Sequence, residues 1–173
     1  VIGVLAAAEG SRFGEASASW GDQLELVGLI AVAGALGALI GVERELADKS
    51  AGLRTHALVA AGSALAAGVG EVLLTTAAGA DAVSGDPVRA LHAVLTGIGF
   101  LGAGAIIRHR GEGSVEGLTT AASLWLAAAV GIATGLGMWV LAAGATVLAL
   151  VVLAVVRRLD RWLARRGHPG RSG

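Results

Sequence analysis

Charged residues are sparse along this chain, and between them lie five apolar runs: Leu24 to Val42, Thr55 to Thr75, Arg89 to Ile107, Leu118 to Thr134 and Gly137 to Val156. Each is about 17 to 21 residues long. At 1.5 Å of helical rise per residue this is close to the roughly 30 Å hydrocarbon thickness of a bilayer. The runs lack the alternation of barrel strands, which are about ten residues long. In lipid every backbone N–H and C=O must be paired within the span, so helix is the remaining choice. The pattern predicts an all-α polytopic membrane protein with five transmembrane helices. It divides the chain into an N-terminal tail (1–23), a transmembrane domain (24–156) and a basic tail (157–173). Val1 to Ala8 is too short to span before Glu9, Ser11 and Arg12 interrupt it. Trp20 stands just ahead of the first run, where an aromatic anchor at the headgroup level is expected.

Composition removes the soluble alternative. Of 173 residues, 55% are hydrophobic and only 15% charged, against about 25% charged in a soluble domain. Mean hydropathy is +0.75. With no cysteine there is no disulfide framework and no thiolate metal site. Thirteen basic and 13 acidic side chains give zero net charge, so no basic face invites nucleic acid.

The distribution of charge is more informative than its sum. Arg44, Lys49 and Arg54 occupy the connection after the first run, Arg108 and Arg110 the one after the third, and six arginines follow Val156. The opposite side carries Arg12 and Arg89 beside Asp22, Asp81 and Asp86. Five spans put the three basic segments on one face, which the positive-inside rule makes cytoplasmic. The N-terminus is then outside and the C-terminus inside. The stretch RRLDRWLARR at 157–166 reads first as a stop signal for the last span, with attachment to anionic lipid as the alternative.

Small residues recur four apart at Ala33, Gly37 and Gly41, at Gly62, Ala66 and Gly70, and at Gly131 and Gly135. Such faces let helix backbones approach closely. The Gly37/Gly41 face is expected to touch another helix and to hold a homodimer, the competing possibility being that it packs within one chain. Gly97, Gly99, Gly102 and Gly104 crowd into eight residues, marking either tight packing or a partly broken helix. Their G-x-G-x-x-G spacing is not a dinucleotide fingerprint, since no strand-to-helix turn surrounds it.

The polar residues gather near the expected cytoplasmic helix ends: Glu43, Arg44, Glu45, Arg54, His56, Arg108, Thr119 and Thr120. Arg54 is placed to pair with Glu43 or Glu45 through its planar fork. Asp86 suits the cap of the third helix, Pro87 its first position, and Arg89 lies one turn on. Carboxylates suit a hard cation, but no metal-ligand spacing specifies a site. No hydrolase elbow, zinc-binding histidine pair or phosphate loop occurs. No catalytic residue, cofactor or enzymatic activity is expected.

The motif set resembles the MgtC/SapB family of bacterial inner-membrane proteins. The strings are GVERE at 41–45, KSAGLRTHALVAAGSAL at 49–65, DPVRA at 86–90, GIGFLGAGAIIR at 97–108 and VEGLTTAASLWLAAAVGIATGLG at 115–137. The resemblance runs from about Leu24 to Val156. It implies a regulatory protein of the cytoplasmic membrane, linked to growth when Mg²⁺ is scarce, to survival in macrophages and to restraint of the membrane ATP synthase. The alternative is a dimeric transporter or channel for Mg²⁺ or another cation. By motif the characteristic residues are Glu43, Arg44, Glu45, Gly52, Leu53, Arg54, Thr55, Asp86, Pro87, Arg89, Gly97, Gly99, Gly102, Gly104, Arg108, Gly117, Leu118, Thr119, Thr120 and Ser123. Where many members read Ala-Ala-Gln, this chain reads Leu91-His92-Ala93, which moves the polar side chain about 100° around the helix. Many relatives also carry a soluble C-terminal domain, and regulation through one is not expected here.

Overall fold

The computed structural model describes residues 20–77, 87–108 and 115–166. Five helices follow in order: α1 (Trp20–Leu46), α2 (Leu53–Ala77), α3 (Pro87–Ala105), α4 (Leu118–Gly135) and α5 (Trp139–Arg166). Between α3 and α4, β1 (Ile107–Arg108) pairs antiparallel with β2 (Val115–Glu116). Among the described residues, α1, α2, α4 and α5 are long and apolar enough to cross a membrane, and α3 has 19 residues.

The bundle buries several polar side chains and exposes many large apolar ones. Glu43, Arg44, His56, Ser63, Thr120, Ser123, Thr134 and Thr146 are buried. Leu24, Leu58, Phe100, Val140 and Leu148 are exposed. Hydrocarbon around the helices favours this arrangement, since apolar side chains lose nothing by facing it and polar groups must find partners within the chain. Thr134 Oγ1 donates to the Val130 carbonyl at 2.8 Å and Thr146 Oγ1 to that of Ala142 at 2.9 Å.

Lipid supplies no hydrophobic drive between helices, so close packing must hold them. α2 lies between α1 and α4, and glycines face it from both sides. A Cβ at Gly41 would stand 2.6 Å from the Leu53 Cα, and one at Gly135 would stand 2.5 Å from the Ala64 carbonyl oxygen. At Gly37 it would collide with the His56 carbonyl, and at Gly131 with that of Ala60. The Gly37/Gly41 face is therefore occupied within the chain, so the homodimer contact expected of it is replaced by packing of α1 on α2. A separate apolar cluster of Ile40, Val130, Ala133, Ala142, Ala149 and Leu153 joins α1, α4 and α5.

The loops have local causes. Asp48 takes a left-handed φ of 55° after α1. Lys49 N–H donates to the Arg44 carbonyl and Asp48 N–H to that of Glu45, the paired bonds of a left-handed C-cap. Gly137, at φ 69°, ends α4 the same way, with Met138 N–H on the Ala133 carbonyl and its own N–H on that of Thr134. Gly117, at φ 87°, starts α4 against the Ala105 carbonyl, where no side chain fits.

The helices depart from the hydrophobic pattern at several points. α3 stops at Ala105, two residues short of the expected run, because Ile107 enters the β pairing. It is continuous through Gly97, Gly99, Gly102 and Gly104, so the broken-helix reading is replaced by an intact helix. α5 continues through Arg157 to Arg166, making much of the expected tail an extension of the last helix.

Candidate functional site

Four helix ends meet at the basic end of the bundle. The last turns of α1 deliver Glu43 and Arg44, only 9% and 4% exposed. Glu43 Oε2 lies 3.5 Å from Arg44 Nη1, and its Oε1 lies 3.7 Å from Arg157 Nε of α5. One carboxylate is thus held between two guanidinium groups from different helices. Burying such a cluster yields little net stability, but removing one member would strand the rest in a low-dielectric setting.

Glu45 serves the neighbouring helix. Its Oε2 accepts the Leu53 N–H at 2.9 Å, satisfying one of the open donors at the start of α2 and placing negative charge at the positive end of that helix dipole. Gly52 makes this reach possible, because a Cβ there would lie 2.6 Å from the same oxygen.

His56 is fully buried. Its Nδ1 is 2.9 Å from the Gly52 carbonyl oxygen and its Nε2 is 2.9 Å from Ser123 Oγ of α4. Ser123 Oγ in turn donates to the Thr120 carbonyl at 2.8 Å. Proton counting couples these bonds. A carbonyl only accepts, so Nδ1 carries hydrogen. In a neutral ring Nε2 then accepts, and the single Ser123 hydrogen must turn to it. In a charged ring Nε2–H donates to Ser123, whose hydrogen stays on Thr120. The serine hydroxyl follows the protonation of the imidazole.

The residues singled out by sequence divide accordingly. Glu43, Arg44 and Thr120 lie in the buried network, with Glu45 at its edge. Arg54 and Thr119 are exposed and stand at two separate clefts. Arg54 lines one of about 490 Å³ between α2 and α3, and Thr119 one of about 230 Å³ between α4 and α5. Neither Glu43 nor Glu45 pairs with Arg54: the first faces Arg44 and Arg157, the second the Leu53 N–H. Gly102 approaches α4, where its Cβ would be 3.5 Å from that of Ala121, whereas a Cβ at Gly97, Gly99 or Gly104 would meet nothing within 4 Å. Asp86 and the side chains of Arg89 and Arg108 lie outside the described residues. Sequence reasoning did not find Arg157 as a partner of Glu43. The i, i+4 spacing of Gly52 and His56 and the i, i+3 spacing of Thr120 and Ser123 were available signals for the histidine network. Among the described residues, no three or more His, Asp or Glu side chains are grouped to hold a metal ion.

Comparison with known proteins places this arrangement. The sequence model of the MgtC family matches residues 30–162. The chain is similar to YhiD of Escherichia coli (strain K12), whose name provisionally designates a magnesium transporter. The two are 42% identical over 144 residues, 83% of this chain and 65% of YhiD. It is 43% identical over 143 residues to Protein MgtC of Brucella abortus (strain 2308), covering 81% of this chain and 55% of that protein. Protein SrpB of Synechococcus elongatus is 38% identical over 154 residues, 83% of this chain and 82% of SrpB. The chain thus spans less than two thirds of the YhiD and MgtC relatives. No solved structure matches.

Proposed function

The chain belongs to the MgtC family, and from that premise we propose that it is a regulator in Mg²⁺-related physiology that acts through contact with other membrane proteins. It is a polytopic protein of the bacterial inner membrane. The observation that carries the reading is the use made of its buried polar side chains. Glu43, Arg44 and Arg157 tie α1 to α5, and His56 and Ser123 tie α2 to α4. These groups lock helices together. The concentration of Arg44, Arg54 and Arg157 at one end of the bundle favours a cytoplasmic placement of that end.

The membrane ATP synthase is the partner suggested by the family resemblance. Co-reconstitution into liposomes, followed by ATP hydrolysis and proton pumping, tests it. The expected result is a lowered rate that depends on the amount of this protein. Unchanged rates with no detectable complex remove that partner.

The name of the Escherichia coli relative favours a second reading, magnesium transport, which this chain would carry out as a dimer. Fluxes of Mg²⁺, Na⁺, K⁺ and protons into liposomes holding the pure protein discriminate the two. The regulatory reading expects rates equal to empty liposomes; a protein-dependent flux favours the transporter.

A further inference from the structure

The cleft between α2 and α3 has a shape and a charge that the regulatory reading leaves unused. Its walls are Leu58 and Val59 from α2 and Val94, Ile98 and Leu101 from α3. Its volume of about 490 Å³ falls in the roughly 300–1,000 Å³ range of small-molecule sites. Gly62 keeps it open, since a Cβ there would meet nothing within 4 Å. From Arg54 to Ser63, both lining residues, α2 rises about 14 Å. That is close to half of the roughly 30 Å hydrocarbon core, the depth of one leaflet.

The mouth at the basic end carries Arg54 and Thr55, both exposed. Among the described residues, Arg54 forms no ion pair, and Glu43 and Glu45 are engaged elsewhere. A permanently charged guanidinium above an apolar slot one leaflet deep matches one kind of molecule. We propose that this cleft binds an anionic phospholipid of the leaflet at the basic end, with Arg54 on the phosphate and one acyl chain along Leu58, Val59 and Ile98. The planar fork of arginine suits two phosphate oxygens. A zwitterionic headgroup brings its own ammonium and leaves the charge of Arg54 less well balanced, so the site discriminates by headgroup.

The test uses the full chain in detergent, equilibrated with equal amounts of phosphatidylglycerol and phosphatidylethanolamine and examined by native mass spectrometry. Wild type is expected to retain phosphatidylglycerol over phosphatidylethanolamine by about fivefold. Arg54→Ala should bring that ratio close to one. Arg158→Ala removes an exposed charge that does not line the cleft and should leave the wild-type ratio. Gly62→Leu puts a side chain into the slot from a position where a Cβ meets nothing within 4 Å, so it should lower retention of both lipids while the protein elutes as wild type does. A wild-type ratio near one, or equal ratios for wild type and Arg54→Ala, overturns the proposal. So does a Gly62→Leu protein that keeps its lipid but loses a dimer, which makes a second copy the occupant.

Discussion

Gly37, Gly41, Gly131 and Gly135 sit in helices as apolar as the one that holds Gly97, Gly99 and Gly104, yet the bundle uses the two sets in opposite ways. The first set is pressed against the backbone of α2, with no room for even a methyl group. The second faces open space. Glycine costs helix stability by roughly 1 kcal/mol relative to alanine. On α1 and α4 that cost is offset by backbone contact. On α3 nothing among the described residues offsets it at three of the four positions. A glycine stripe therefore identifies a close helix contact only once the opposing backbone is known.

Adding bulk to the first set should have the largest effect. Gly131→Leu forces a side chain onto the Ala60 carbonyl, and Gly41→Leu onto Gly52 and Leu53. Overpacking costs about 1–3 kcal/mol even where side chains can yield, and here the obstacle is backbone. Both variants should lose most of their folded protein, measured as the monodisperse fraction after extraction from membranes. Wild-type yield from either would contradict the clamped arrangement of α2.

The polar contact between the same helices should matter less. Ser123→Ala leaves His56 Nε2 buried without its partner, a loss of about 1–3 kcal/mol. His56→Leu removes both side-chain bonds, yet Ser123 keeps the Thr120 carbonyl. Thermal melts of the two single variants and the double variant should show a double variant less destabilised than the sum, by about 1 kcal/mol. Simple additivity would mean that the imidazole and the hydroxyl do not act as a pair.

The second glycine set should respond least, and in the opposite direction. Gly97→Ala, Gly99→Ala and Gly104→Ala add a methyl group that meets nothing within 4 Å, so each should be neutral or stabilising by up to about 1 kcal/mol. A lowered melting temperature would show that another surface covers this face of α3.

Much of the fold was legible because the length of an apolar run is a local property. The five runs match the five helices to within a few residues, apart from the extension of α5 through the arginines to Arg166. The end of α3 was not legible, since the turn at Gly117 and the pairing of Ile107 with Glu116 depend on contacts across a loop. The candidate site was legible in its members more than in its pairings. Glu43, Arg44 and Thr120 carry visible polarity at helix ends. The partner of Glu43 is Arg157, more than a hundred residues away, and that of His56 is Ser123, 67 residues on. Such distances leave no trace in spacing. Arg54 shows the same limit, because whether its charge meets Glu45 depends on the Leu53 N–H having already taken that carboxylate.

The central claim is that the small-residue face of α1 closes onto α2 within a single chain. The chain has no cysteine, so an introduced pair reports without background. A Cβ at Gly34 would stand 3.6 Å from that of Ala61, inside the roughly 3.5–4.5 Å span of a disulfide. Gly34→Cys combined with Ala61→Cys, oxidised in native membranes, should give a bridge within the monomer: no dimer band on a non-reducing gel, and loss of both free thiols to alkylation. A reducible dimer at the expense of the monomer, or thiols that stay free, would contradict the account.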